Sequence, residues 1–176
     1  MTISLRASAK IESGALVIDY EVSNDGDVDI YLLNRLFDAV EGKLSPDIAY
    51  VALDNSAHIV EVRKVLADIP TPNPTSPVAP YVTPVRAHGH FSEVIHLRLP
   101  VRRYQQYESN RAEGGAPGEY EGVRLTLAYY ARQPGVIEER TTAFGQPVIL
   151  PKGFKGFPAI ARFSSAVMQL PIPVAE

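Results

Sequence analysis

Apolar and polar side chains alternate with a period of two along much of this chain. From Ala15 onward, Leu16, Ile18, Tyr20 and Val22 share one parity, while Asp19, Glu21 and Ser23 share the other. After an Asn24-Asp25-Gly26-Asp27 turn, Val28, Ile30 and Leu32 stand against Asp29 and Tyr31. Alternation on both sides of a glycine-containing turn predicts two strands, each with one buried face. Leu33, Leu36, Phe37 and Val40 also fit a helical spacing, but no N-cap residue stands ahead of Leu32. The strand reading therefore continues to about Phe37.

The same pattern recurs downstream. Residues 47–53 and 57–64 read as a hairpin around Asp54-Asn55-Ser56, with Val60 and Val62 opposite Glu61 and Arg63. In residues 92–101, Ile95, Leu97, Leu99 and Val101 alternate with Val94, His96, Arg98 and Pro100, the proline marking a strand end or an edge. Val123, Leu125, Leu127 and Tyr129 form another apolar face, opposite Arg124, Thr126 and Tyr130. Gln133-Pro134-Gly135 then predicts a turn that lets 136–142 pair back as a hairpin, with a short strand over 143–150. Residues 154–170 are compatible with strand or helix.

Two stretches break the pattern. Residues 70–84 hold six prolines, each without an amide donor and with a fixed φ. They predict an extended strap that crosses from one sheet to the other. Residues 110–118, rich in Gly, Glu and Ala, predict a loop, and 171–176, opening Pro171-Ile172-Pro173, an extended tail. Many short strands separated by Gly/Pro turns, with no alternating helices, specify an all-β protein. The expected architecture is one domain over 1–176, an antiparallel β-sandwich of immunoglobulin-like design.

Composition narrows the function more than it names one. Apolar residues make up 45% of the chain, enough to build a core. Residues 1–68 carry 12 acidic and 6 basic side chains and the rest 8 and 11, with no concentrated basic face of the kind nucleic acid requires. No apolar run reaches the ~20 residues of a membrane span. The chain has no cysteine and its first residues lack the order of a signal peptide, so the expected location is cytoplasmic.

His88-Gly89-His90, with Glu93 and His96 following, is the strongest metal-like feature. Imidazoles at i and i+2 on a strand share a face and suit zinc, iron or nickel. This run resembles the first motif of cupin barrels, and Gly145, Pro151 and Gly153 resemble the second. The resemblance covers about a dozen positions. It implies a cupin-like β-barrel that binds a metal through His88 and His90, with His96 or Glu93 completing the shell. Glu93, five residues after His88, faces away on a regular strand, and Gly156 stands where the family has a third histidine. The competing reading makes these solvent-facing histidines, because His88 and His90 share parity with Arg98.

Other constellations are weaker. Asp25, Asp27 and Asp29 alternate like calcium ligands, but Ile30 and Leu36 hold the positions where a calcium loop has Gly and Glu. No Gly-x-Ser-x-Gly elbow or phosphate loop occurs. Arg102, Arg103, Tyr104 and Tyr107, with Tyr130 on a neighbouring strand, combine the residue types favoured at protein contacts. The expectation is a non-catalytic protein without cofactor that binds a protein partner or itself, possible rivals being the cupin-like metal protein and a protease-inhibiting strap.

Overall fold

A computed structural model describes residues 2–67, 79–105 and 117–175. Ser13 and Gly14 take the left-handed backbone, φ 51° and 75°, that a two-residue hairpin demands. They join β1 (Ile3–Glu12) to β2 (Ala15–Asn24) in antiparallel register. β2 pairs on its other side with a later strand, β9 (Gly89–Arg98), completing a three-stranded sheet of order β1-β2-β9.

The second sheet is built around one long strand, β11 (Gly118–Ala131). Along one edge it pairs with β15 (Met168–Ala175) and β14 (Ala161–Ser164). Along the other it pairs parallel with β7 (Ile59–Lys64), then antiparallel with β3 (Ile30–Arg35). β6 (Tyr50–Asp54) extends β7, and β8 (Tyr81–Val85) follows β3. Beyond β8 lies the hairpin of β12 (Ile137–Ala143) and β13 (Gln146–Lys152). β10 (Val101–Arg102) borders β15, and β4 (Phe37–Asp38) pairs with β5 (Lys43–Leu44).

The two sheets stack face to face. Leu16, Ile18 and Ile95 from the small sheet meet Val60, Val62, Leu125 and Ile172 from the large one, all fully buried or nearly so. This is a β-sandwich: no sheet closes on itself, which corrects the cupin-barrel alternative. The reverse face of the large sheet carries a second core, in which Tyr31, Leu33, Ala128 and Tyr130 pack under Val136, Ile149 and Phe154. β3 is thus apolar on both parities, and Tyr31, expected on a wet face, is wholly buried.

β2 and β3 flank the Asn24–Asp27 turn and belong to different sheets. Three further expectations are corrected. Residues 137–143 pair with 146–152, not with β11, because Phe144 and Gly145 adopt positive φ and form a tight hairpin of their own. Residues 81–84 of the supposed strap belong to β8, in the same sheet as β7, so the proline-rich segment links two strands of one sheet; its part over 70–78 lies outside the described residues. The supposed tail is β15, with Ile172 and Val174 in the core. Proline is tolerated where its missing N–H falls on an unused edge. Among the described residues, the side of β15 away from β11 is paired only at Val174 and Ala175.

Charges lock the ends of β3, β8, β11 and β12 together. Arg86 Nη1 donates to Asp29 at 2.9 Å and to Glu138 at 2.7 Å, while its Nη2 donates to the other Glu138 oxygen at 2.8 Å. Arg132 adds a bond to Asp29, the Ala87 amide another, and Tyr31 Oη donates to Glu138. The Arg86 bonds hold the Glu138 carboxyl below its ordinary value. Burial pulls Asp29 upward, but the Ala87 amide and the two arginines outweigh it and leave it lowered. Burial and then Glu138 push the Tyr31 phenol up to about 12.

Two predictions follow from this packing. Gly122 lies at a register shift between β11 and β15, where an added Cβ would sit 2.8 Å from the Met168 carbonyl oxygen. Gly122→Ala is expected to cost about 1–3 kcal/mol in denaturant unfolding, as overpacking against backbone does. Both lowered carboxyls bind protons more weakly folded than unfolded, so their stabilisation is complete above about pH 4.5 and is lost as pH falls below it. The melting temperature is expected to drop below that pH, and less steeply in Glu138→Gln.

Candidate functional site

The sheets part at the edge formed by β9, and a cleft of about 610 Å³ opens there. Ala49, Val51, Leu97 and Val101 supply apolar lining. Asp38, Asp47, Arg98 and Arg102 add charge of both signs, and His96 adds an imidazole. A volume of this size is that of a ligand or peptide site, and its lining is about equally polar and apolar, with Glu41 and Lys43 also at its wall. Tyr104 lies at one end, where backbone bonds between it and Val51 in both directions (2.8 and 3.1 Å) tie the chain just after β10 to β6. Its ring stacks on Tyr50, and its hydroxyl approaches Asp38 at 3.4 Å. Burial, with Asp38 adding to it, raises the Tyr104 phenol.

The wall formed by residues 45–49 is held from two sides. Asp47 Oδ1 accepts the His96 amide at 2.8 Å and lies 3.2 Å from His96 Nδ1. From inside, Lys64 Nζ donates to the Pro46 carbonyl at 2.7 Å. Lys64 shares parity with Val60 and Val62 and is wholly buried between the sheets. There it donates to Glu93 at 2.6 Å, and Tyr20 Oη donates to the same carboxylate oxygen at 2.5 Å. Burial lowers the Lys64 ammonium despite Glu93, and burial raises the Tyr20 phenol, with Glu93 adding to it. Asn34 completes this polar layer beside the Tyr20 hydroxyl, buried and without a well-aligned hydrogen bond among the described residues.

The candidate residues from the sequence separate. Arg102 and Tyr104 line the cleft, and Arg103 beside them is half-buried. Tyr107 lies outside the described residues. Tyr130 is buried against Tyr31 and Phe154 in the second core, which removes it from the exposed tyrosine–arginine face expected of it. His88 sits in the turn before β9, 3.0 Å from Asp27, and His90 is exposed on the outer face. His96 is six residues beyond His90, about 20 Å along the strand. Glu93 points to the opposite side, into the core. Among the described residues no three His, Asp or Glu gather as a metal site. Asp29, one of the suggested calcium ligands, is bound to Arg86 and Arg132.

Sequence reasoning missed Asp38, Asp47 and the Lys64–Glu93–Tyr20 cluster. The inward parity of Lys64 was the available signal. Searches against protein-family models, curated proteins and solved structures find no match to this chain.

The cluster generates a prediction. Removing one partner of a buried pair leaves an uncompensated polar group, whereas replacing both by apolar residues is often neutral. Lys64→Met is expected to cost about 3 kcal/mol in urea unfolding. The double variant Lys64→Met/Glu93→Leu is expected to recover most of that loss.

Proposed function

We propose that the protein is a non-catalytic β-sandwich that binds an extended segment of a partner polypeptide in the cleft beside β9. The observation that carries this reading is the state of the β9 edge. Leu99 N donates to Gly14 O, so the odd-numbered residues of β9 direct their backbone groups at β2. The even-numbered residues, among them Ser92, Val94, His96 and Arg98, direct theirs to the open edge. Asp47 already satisfies one of these amides, at His96, as an incoming carbonyl would. A lining that mixes apolar side chains with charges of both signs suits a peptide added as a strand, where backbone bonds give affinity and side-chain pockets give selectivity.

The most perturbed interior groups, Lys64 and Tyr20, face the closed core rather than this cleft, which favours binding over chemistry. The absence of cysteine in the sequence suits a reducing compartment such as the cytoplasm. Among the described residues no helix is long and apolar enough to cross a membrane.

The test is selection of peptides from a random display library on the wild-type protein. Recovered peptides are expected to bind at least about tenfold more weakly to Arg98→Glu and Arg102→Glu, a loss of roughly 1.4 kcal/mol each. Arg140→Glu, on the distant β12, is expected to leave binding unchanged. Failure to recover peptides, or equal binding to all three variants, removes the reading.

A further inference from the structure

The small sheet has a second edge, β1, and it differs from β9. β1 runs in uninterrupted register with β2 from Ile3 to Glu12, with no bulge and no proline. Among the described residues no strand pairs with its other side. One bond fixes where its backbone groups point. Asp25 N donates to Thr2 O, and the register then makes Ser4, Arg6, Ser8, Lys10 and Glu12 the residues bonded to β2. Ile3, Leu5, Ala7, Ala9 and Ile11 therefore present their N–H and C=O groups outward, a row of donors and acceptors ready for another strand.

We propose that two copies of this chain pair antiparallel through β1 about a two-fold axis at Ala7, joining their small sheets into one continuous six-stranded sheet. In that register Ala7 faces Ala7, Leu5 faces Ala9, and Ile3 faces Ile11 of the second copy. All five outward-directed residues then lie in mutually bonding pairs, and none is left over. On the solvent face Arg6 stands opposite Ser8, and Lys10 opposite Ser4, so no two like charges are directly opposed. Other registers fail on the same pattern. An axis at Ser8 sets Arg6 against Lys10 twice and leaves Ile3 unpaired, and an axis at Ala9 leaves both Ile3 and Leu5 unpaired.

The exposed apolar surface agrees with this register. Ile11 is 43% exposed in the single chain, and it is the residue that Ile3 of the second copy reaches. The interface is isologous, so it closes at two copies and leaves no further free β1 edge. It is also independent of the peptide-binding reading, because β1 and β9 are opposite edges of the sheet and the cleft stays open in the dimer.

Sedimentation and light scattering of the 176-residue chain at micromolar concentration are expected to give twice the 19.3 kDa mass of one chain. Ala7→Pro removes an outward N–H without touching the β1–β2 ladder, so it is expected to give a monomer with an unchanged circular-dichroism spectrum. A second variant guards against misfolding. The sequence has no cysteine, and only residue 7 faces its own copy, so Ala7→Cys is expected to form a covalent dimer on oxidation far faster than Ala9→Cys. A monomer at every concentration, a dimeric Ala7→Pro, or equal cross-linking at positions 7 and 9 would overturn the proposal.

Discussion

The large sheet must be covered on both faces where β3 and the end of β11 lie side by side, and most of the architecture answers that requirement. Ile30 and Leu32 point into one core, Tyr31 and Leu33 into the other. The small sheet covers the first face. The β12–β13 hairpin and the residues around Phe154 cover the second, and the Asp29–Arg86–Glu138 network pins that cover to the ends of β3 and β8. Each fully buried Leu or Ile contributes about 1.5–3 kcal/mol. A few of them around Lys64 suffice to offset the several kcal/mol that burying a paired ammonium costs.

Lys64 connects this interior to the surface. Its ammonium bonds the Pro46 carbonyl, so the wall of the cleft is anchored in the core rather than left as a free loop. The carboxylate of Glu93 crosses from the small sheet to meet it, giving the sandwich a directional contact among many non-directional ones. A displaced register of either sheet would strand both charges, which apolar packing alone would tolerate better.

The all-β class was legible because alternation with a period of two is a local signal, and Leu16 to Val22 carry it strongly. β1 carries the same alternation, but with Ala7 and Ala9 as its central inward residues, whose small side chains weaken the contrast. Which strands pair was not legible. The Gln133-Pro134-Gly135 turn looked like a hairpin joint, yet Phe144-Gly145 made the tighter one, and proline at 171 and 173 looked like a tail because sequence does not show which edge is unused. Of the cleft, Arg102 and Tyr104 were legible as contact residues and His96 only as a metal candidate, since Asp47 and His96 meet through the fold across 49 positions.

The parallel pairing of β7 with β11 has a consequence for how the chain reaches this state. Glu61 and Arg124 are 63 positions apart, and their strands run the same way, so no tight turn can bring them together. The β1–β2, β6–β7 and β12–β13 hairpins close over short loops and can form early. The central seam has to wait for most of the polypeptide. Assembly is then limited by loop-closure entropy, on a timescale of milliseconds to seconds, and unpaired strands stay open to other molecules in the interval.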